Sequence, residues 1–543
     1  MRTNDMTLDT DFVVIGSGFG GSVAAMRLAQ RGYAVTVLEA GKRWAPEDLP
    51  KSTWDVRRFC WMPGLGAHGI LRMALYRHLM AVCGVGVGGG SLVYGNTLYR
   101  PRASFFESEA IARLGGEREL GPYLDLATKM MGVVDNPAMM EPDRLLKATA
   151  DAMGRGHTFA PSPVAVWFGE AGKRAADPYF DGEGPERSGC TLCGGCFLGC
   201  RHGAKNTLDQ NYLYFAERFG VQVVPETRAT ALRPAEGGKG GWTVDTVPSG
   251  GRRGAGRSYT CRGVVVSAGV LGTLELLMSS RDAGHLARIS PMLGRRVRSN
   301  SEVIVGVTAR DPNVDLSRGI AASSSVWLDD HTQVQADRYP KGSDAMGLLS
   351  TLLVDGGGKI PRPLRFLAAA AGAPGDFLRT LRPDGFAQRT VFLIVMQDQP
   401  SSLRMIRVGR GLDTRAEDVP IPTYLPEAND FARRLAGAMN GFARSAVTEV
   451  FLDRPVTAHI LGGCPIGSGP DDGVVDDRQR VFGYDHLWVA DGTVIPANLG
   501  VNPVLTILGF AERAMAFVPT RDGHFRGLAA EARWGVSELL VRA

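Results

Sequence analysis

Four cysteines lie close together in the segment CTLCGGCFLGC, and their spacing suggests that they bind a metal or a cluster. The spacing, C-x2-C-x2-C-x3-C, is that of bacterial ferredoxins that hold a [4Fe–4S] cluster, although Arg201 stands where those proteins have proline. A tetrahedral zinc site or a reduced structural loop is the alternative. The spacing predicts a metal or an iron–sulfur cluster on Cys190, Cys193, Cys196 and Cys200.

An imidazole and a carboxamide near the carboxy-terminal end could act on a hydroxyl group. His459 lies in AHILGGCPIG, a predicted transition from strand to loop. Asn502 and Pro503 precede an apolar helical pattern, in the N-cap and first helical positions that these residue types favour. An imidazole with a pKa of about 6.5 can accept a hydroxyl proton, although many histidines have only structural hydrogen bonds. We predict that His459 is a catalytic base and that Asn502 orients the substrate.

A glycine motif near the amino terminus predicts a nucleotide site. An apolar run at 12–15 is followed by Gly16, Gly18 and Gly21 in the order G-x-G-x-x-G, and then by a helical pattern at 23–30. A second strand at 34–38 ends at Glu39, where an acid can accept hydrogen bonds from a ribose diol. The motif alone is a weak signal, but strand, turn, helix, strand and acid follow in the expected order. It predicts a dinucleotide that contains ADP.

Three further segments supply backbone or polar groups suited to a bound cofactor. The first is CGVGVGGGSLVYGNTLYRP, whose alternative interpretation is a glycine-rich connector. The second, GVVVSAG, is a buried strand that runs into a helix, and the third, LWVADG, is a strand that ends in an acid. The predicted cofactor-binding residues in these segments are Gly88, Gly89, Ser91, Gly95, Asn96, Ala268, Gly269, Asp491 and Gly492, to which Asn502 and Pro503 are added.

The elements that must position these residues predict an α/β protein with two interleaved domains. A Rossmann-like domain is built from 8–110, 206–302 and 451–520, and an α+β substrate domain on an antiparallel sheet is built from 111–205 and 303–450, with a tail at 521–543. Further predictions are helices at 120–131, 143–153 and 208–219, a hairpin around GGKGGWTV and SGGRRGAGRSYT, a strand at 391–396, and a lid at 364–381.

Length, charge and hydropathy restrict the classes of function. A chain of 543 residues with 44% hydrophobic residues can build a large interior. The net charge of +5 is small and the basic residues are scattered, which argues against a nucleic-acid partner. No apolar run reaches the length of a membrane span, and the acidic N-terminal segment leaves no room for a signal peptide. We expect a cytoplasmic enzyme with at most peripheral membrane contact.

The chain resembles the glucose-methanol-choline (GMC) oxidoreductases, and within them most of all the cholesterol oxidases. The matching segments are residues 11–41, VGVGGGSLVYGN, SAGVLGT at 267–273, HILGGCPIG at 459–467 and DGTVIPANLGVNPVLTI at 491–507. The resemblance implies that the Rossmann-like domain binds FAD and that an alcohol is oxidised to a carbonyl. It also implies that the family's catalytic histidine and asparagine are His459 and Asn502.

One position departs from that resemblance. Cholesterol oxidases carry a glutamate shortly before the strand that corresponds to 391–396, and this acid serves steroid double-bond isomerisation. Here the nearby residues are Ala387, Gln388 and Arg389. If isomerisation occurs in this protein, another acid must supply it.

The expected substrate is a hydrophobic secondary alcohol, above all a 3β-hydroxysteroid, and the expected acceptor is oxygen or a redox protein. Trp44, Trp54, Phe59 and Trp61 could line an apolar pocket. The first alternative is a dehydrogenase for a sugar or another alcohol that passes electrons through an iron–sulfur cluster, which some GMC dehydrogenases carry on similar cysteines. The alternative from another class is a flavoprotein electron-transfer or binding subunit without alcohol chemistry.

Overall fold

The computed structural model describes residues 8–235, 241–249 and 256–542. The tips of the predicted hairpin, at 236–240 and 250–255, lie outside the described residues, whereas its strands are described below. Within the described ranges, no helix combines the length and the apolar character that crossing a membrane requires.

The first sheet has seven strands and carries the glycine motif. Its central strand pairs in parallel with the strands on both sides, and its sequence is apolar because both faces are covered. Near one edge, Trp242–Pro248 pairs antiparallel with both of its neighbours, and its pairing with Ser258–Val266 forms the predicted hairpin. The strands are Thr10–Ile15, Val35–Leu38, Gln222–Val224, Thr227–Pro234, Trp242–Pro248, Ser258–Val266 and Leu487–Val489.

The glycine motif joins the central strand to the helix Phe19–Gln30 through a turn that other residues would not fit. Gly16 has a φ of 98°, in the left-handed region that favours glycine. A Cβ on Gly21 would collide with the carbonyl oxygen of Gly16, so the helix can approach the strand only without a side chain there. The strand, turn, helix and second strand that the motif predicts are therefore confirmed.

The second sheet also has seven strands, and the pairings of its strands are antiparallel. Two helices, Glu141–Ala152 and Pro426–Ala438, cover one face and enclose an apolar core there. The other face is turned toward the first sheet and lines a cavity. The strands are Ala160–Pro161, Val303–Ala309, Ala322–Trp327, Thr332–Asp337, Ser350–Leu352, Thr390–Gln397 and Gly441–Ala446.

The predicted helices are present with shifted ends. The prediction at 208–219 is a short 3-10 turn followed by a helix, and the predicted lid at 364–381 consists of two consecutive helices. The helices not named so far are Val56–Phe59, Ala103–Glu107, Glu109–Ala112, Gly116–Met130, Tyr212–Arg218, Gly269–Asp282, Arg362–Gly372, Pro374–Thr380, Phe386–Arg389, Val447–Leu452, Val504–Ala516, Ala529–Arg533 and Ser537–Leu540.

Short strand pairs complete the structure. One three-stranded sheet is important for the site because its strand Val456–Thr457 leads directly to His459. The remaining strands are Trp61–Met62, Ala67–His68, Leu71–Leu75, Met80–Gly84, Val134–Asp135, Pro163–Val164, Arg174–Ala175, Arg187–Ser188, Leu403–Val408 and Gly411–Ala416.

The carboxy-terminal segment packs against the helix Phe19–Gln30 through buried charges. The guanidinium of Arg27 donates to both carboxylate oxygens of Glu512, at 2.6 and 2.7 Å, and also contacts Glu531. Gln30 donates to Glu531 at 2.8 Å. The side chains of Arg27, Glu512 and Glu531 are at most 1% exposed. The segment predicted as a tail is thus part of the packed structure.

Candidate active site

A cavity of about 790 Å³ lies between the two sheets and has a mostly apolar wall. This volume is within the range of about 300–1,000 Å³ that small-molecule sites occupy. Many of the residues predicted from sequence meet in its wall: Gly16, Gly18, Glu39, Gly89, Gly95, Ala268, Gly269, His459, Asp491, Gly492, Asn502 and Pro503. Amino-terminal and carboxy-terminal parts of the chain therefore form one site.

Four other predicted cofactor residues are buried but are not among the residues that line the cavity. Gly21 packs against Gly16, as described above. The amide of Gly88 donates to the Ser17 hydroxyl at 3.1 Å, and the Ser91 hydroxyl donates to the Gly88 carbonyl at 2.7 Å. Asn96 lies between the lining residues Gly95 and Thr97 with a φ of 73°. These residues support the cavity wall without lining the cavity.

His459 is held between an acid and an amide. Its Nδ1 lies 2.9 Å from Oε2 of Glu302, and its Nε2 lies 3.1 Å from Nδ2 of Asn502. A carboxylate can only accept at Nδ1 and the amide nitrogen can only donate at Nε2, so both contacts fit a neutral imidazole protonated at Nδ1. Nε2 is then an acceptor that faces the cavity. This is the arrangement that a base for a hydroxyl proton requires.

Glu302 is a functional residue that the sequence analysis missed. Its side chain has no exposed surface. Its Oε2 also accepts hydrogen bonds from the Thr457 hydroxyl at 3.1 Å and from the Ala458 amide at 3.2 Å. These bonds fix the carboxylate next to the imidazole, which makes Glu302 a positioning residue for His459. The only sequence signal was an acid directly before an apolar strand.

We expect Glu302→Gln to lower kcat by about 10²-fold, because the amide can donate to Nδ1 and stabilise the wrong tautomer. KM for the alcohol should change little, since Glu302 does not line the cavity. Steady-state kinetics of Glu302→Gln, of His459→Gln and of the variant that carries both substitutions will check this. In the His459→Gln background, Glu302→Gln should cost little more, whereas a full additional loss would contradict a role through His459.

A strained turn connects Glu302 to the loop that carries Asn502. Asn300 and Ser301 have φ values of 59° and 44°, in the left-handed region. The Asn300 side chain accepts hydrogen bonds from the amides of Leu499 and Gly500 at 2.9 Å and donates to the Val501 carbonyl at 3.0 Å. The same turn therefore helps to position Glu302, which contacts Nδ1 of His459, and Asn502, which contacts its Nε2.

The predicted cap at Asn502 is wrong by one residue. The helix is Val504–Ala516, with Pro503 at the N-cap, so Asn502 is not the cap and Pro503 is not the first helical residue. The Asn502 amide instead donates to His459 and to Gln335 Oε1, at 3.1 and 3.3 Å, which removes its side chain from the helix end. Within the part of the chain that the structure describes, its buried Oδ1 has no hydrogen-bond partner. This oxygen can accept a hydrogen bond from a substrate.

The N-termini of three long helices reach the cavity: Phe19–Gln30, Gly269–Asp282 and Val504–Ala516. None of them has an acid in its first turn or a side-chain cap. Helix N-termini carry unpaired amides and partial positive charge, which suit a pyrophosphate or a negatively charged ring. Glycines let two backbone segments approach each other closely there, since a Cβ on Gly89 would lie only 2.6 Å from the Gly18 Cα. This part of the wall fits a dinucleotide cofactor.

Two predicted acids in the wall already have protein hydrogen-bond donors. Glu39 accepts from the amides of Ser17 and Gly41 at 3.1 and 2.8 Å and from the Ser17 hydroxyl at 2.7 Å. Asp491 accepts from the hydroxyls of Thr273 and Thr493. Burial raises the pKa of both carboxyl groups. Their contacts to a ribose or ribityl hydroxyl stay predictions.

The four cysteines line a second, small cavity together with Lys205. The ammonium of Lys205 donates to the carbonyls of Leu92, Tyr94 and Cys196, and burial lowers its pKa to about 8. Burial raises the pKa of Cys196 to about 11. Among the residues that the structure describes, no three side chains of the ligating types are arranged to hold one metal ion. The sequence prediction of a cluster therefore stays a prediction.

The aromatic residues predicted to line a pocket divide into two groups. Phe59 and Trp61 lie in the wall of the large cavity, next to Leu71 and Met73. Trp44 packs against a neighbouring apolar cluster, and Trp54 is 49% exposed. The wall therefore presents an apolar surface to a substrate, but only two of the four predicted aromatic residues contribute to it.

Comparison with known proteins adds independent information. A family model described as GMC oxidoreductase matches residues 410–511, and one described as NAD(P)-binding Rossmann-like domain matches residues 14–46. A cholesterol oxidase from Acinetobacter baumannii is 43% identical over 528 residues, which cover 94% of this chain and 95% of that protein. A cholesterol oxidase from Mycobacterium tuberculosis strain H37Rv is 44% identical over 535 residues, covering 95% and 92%.

A solved structure supports the fold. The crystal structure of pyridoxine 4-oxidase from Mesorbium loti superposes with a TM-score of 0.59 over 93% of this chain and 98% of that one. The identity is 17%, so this likeness concerns the fold alone.

Proposed function

Because this chain belongs to the GMC oxidoreductases, we propose that it oxidises the 3β-hydroxyl group of a sterol to a ketone. The chain is an FAD-dependent oxidoreductase that acts on CH–OH groups. Sterol as the substrate is supported by the two cholesterol oxidases above and by the apolar wall around Phe59 and Trp61. Oxygen is the proposed electron acceptor.

The observation that carries the proposal is the contact of His459 Nε2 with Asn502 Nδ2 at 3.1 Å in the wall of this cavity. A substrate hydroxyl that displaces this contact can donate its proton to Nε2 and accept a hydrogen bond from the Asn502 amide. Glu302 keeps the Nδ1 proton in place and so keeps Nε2 free to accept. Loss of the hydroxyl proton makes the carbinol hydrogen a better hydride donor.

FAD, when bound, supplies the acceptor for that hydride. The residues suited to hold it are the glycines around Gly16, Gly18 and Gly89, and the three uncapped helix N-termini described above. The first turn of Val504–Ala516, next to Asn502, favours negative charge on the bound ring. The apolar part of the wall around Phe59 and Trp61 can exclude water and hold an apolar substrate.

Anaerobic addition of cholesterol to the FAD-loaded protein tests the proposal. We expect the oxidised flavin absorbance to be lost and to return when air is admitted, with formation of hydrogen peroxide. The matched control is the 3α epimer of cholesterol, which has the same apolar skeleton but presents its hydroxyl on the other face, and it should reduce the flavin far more slowly. Faster reduction by a long-chain alcohol or by glucose than by cholesterol would contradict sterol as the substrate.

The cysteine segment is the feature that favours a different acceptor. Phe197 lines the large cavity, while its neighbour Cys196 lines the small one, so a cluster held there would lie close to the large cavity. Iron bound to anaerobically purified protein would favour a dehydrogenase, and iron-free protein with four titratable thiols would remove that alternative. The cytoplasmic location and peripheral membrane contact stay predictions.

A further inference from the structure

Arg444 is a buried cation in the cavity wall that the proposed oxidation does not use. It lies in the strand Gly441–Ala446, is 3% exposed and lines the large cavity. Its Nη2 donates to the carbonyls of Gly347, Ser350 and Thr380, at 3.0, 3.1 and 3.4 Å. Nη1 takes part in none of these hydrogen bonds, and the buried Nε has no partner among the residues that the structure describes. Part of the guanidinium is therefore available to a ligand.

The charge of Arg444 has no carboxylate beside it in the described part of the chain. Its Cζ lies 4.7 Å from the centroid of the Phe386 ring and 5.9 Å from that of Phe442. Burial lowers its pKa to about 10, and the one neighbouring charge that contributes to this shift is a second cation, Arg389. The buried Arg27 differs, because it has two acids as partners. An unbalanced buried charge costs folding free energy, which an anion in the cavity would offset.

Arg444 belongs to a row of residues that crosses the second sheet. It pairs with Gly306, and Gly306 pairs with Phe392 on its other side. Phe392 in turn pairs with Asp337, so the acid of this row is three strands away from Arg444. All four residues line the cavity. The apolar side chains that line the cavity along this part of the sheet are Ile304, Phe392 and Ile394.

The distance between Arg444 and the oxidation site matches the length of a sterol. Gln335, which accepts the hydrogen bond from Asn502, lies two residues before the end of its strand. From Gln335 to Arg444 the path covers three strand spacings and two residues along a strand, which is about 16 Å. A sterol spans a comparable distance from its hydroxyl group to the end of its side chain. With its hydroxyl between His459 and Asn502, a sterol lying along the sheet would end near Arg444.

We propose that Arg444 binds a carboxylate at the end of the substrate's side chain, so that the preferred substrate is a steroid acid. This inference rests on the proposed function, because it needs the 3β-hydroxyl group at His459 to set the position of the other end. The free Nη1 would donate a charge-assisted hydrogen bond to the carboxylate. The apolar side chains between the two ends would contact the ring system. Cholesterol would instead bring methyl groups to the guanidinium and leave its charge unbalanced.

The test compares two substrates that differ only in this charge: 3β-hydroxycholestenoic acid, whose side chain ends in a carboxylate, and its methyl ester. With the FAD-loaded wild type at neutral pH, we expect kcat/KM to be at least about tenfold higher for the acid. In Arg444→Met the two values should lie within about threefold of each other, because the loss falls on the acid alone. The ratio of the two substrates is unaffected by a change in FAD content, since both are measured on the same preparation.

The matched control is Arg362→Met. Arg362 is also buried and donates to three carbonyls, those of Thr423, Glu449 and Val354, but it does not line the cavity. This variant should keep the wild-type ratio of acid to ester. If Arg444→Met does not fold, Arg444→Gln replaces it, because its amide can still donate to the carbonyls but carries no charge.

Equal kcat/KM for acid and ester in wild type would overturn the proposal, and so would a ratio that the neutral variants at Arg444 leave unchanged. If neither steroid reduces the flavin of wild type, the proposed oxidation fails, and binding then tests Arg444 by itself. Calorimetry with the ketone forms of both steroids needs no turnover. Binding of the ketone acid at least about tenfold tighter than of its ester would support the carboxylate site, and equal affinities would overturn it.

Discussion

His459→Gln is expected to lower turnover by about 10²–10⁴-fold while FAD stays bound. Glutamine has no basic nitrogen to accept the hydroxyl proton, but it keeps a polar side chain between Glu302 and Asn502. The glycines and helix ends suited to the cofactor are not altered. Stopped-flow reduction of the flavin by cholesterol, with the absorption spectrum as the measure of bound FAD, gives both quantities.

The matched control is His331→Gln. His331 also pairs with a carboxylate through Nδ1, at 2.7 Å from Asp398, but its side chain is 56% exposed and it does not line the cavity. Its replacement should leave turnover unchanged. Unchanged turnover in His459→Gln itself would contradict the role of His459 as the base, and loss of FAD would point to a structural role. Wild-type protein whose flavin no alcohol reduces would favour the alternative of an electron-transfer subunit.

Arg27→Leu is expected to destabilise the folded protein by about 3–5 kcal/mol. The substitution keeps an apolar stem but leaves Glu512 and Glu531 buried without their cation. Tyr212 and Gln30 still donate to these acids, but neither supplies charge. Urea unfolding of the FAD-loaded protein, followed by circular dichroism, will measure the shift of the midpoint.

Arg43→Leu is the matched control for that measurement. Arg43 and Glu217 form an ion pair at 2.6 Å whose side chains are 41% and 38% exposed. Solvent screens such pairs, so the loss should be at most about 1 kcal/mol. Equal midpoints for the two variants would show that the buried charges do not hold the carboxy-terminal segment in place.

The nucleotide half of the site could be predicted from sequence because its constraints are local. A turn that admits only glycine, followed by a helix and a strand, produces a pattern within thirty residues, as at Gly16 and Gly21. His459 could be assigned through the resemblance of its flanking residues. These features depend on residues that are neighbours along the chain, so they can be recognised in the sequence.

The remaining site residues depend on contacts between distant segments. Glu302 is 157 residues from His459 in sequence, and nothing around it resembles a motif. The cap prediction at Asn502 was wrong because it rested on local propensity alone. The contacts of Asn502 with His459 and Gln335 determine where its side chain lies, and only the folded chain creates them.

The helix Phe19–Gln30 has one end in the cavity and the other in the carboxy-terminal segment. Its first turn lies against the cofactor site, and Arg27 and Gln30 in its last turn hold Glu531. Ligand binding at one end of a rigid element and docking at the other stabilise the same folded unit. Loss of FAD should therefore make the final residues more open to carboxypeptidase, and a fusion partner placed after residue 543 should be chosen with that linkage in mind.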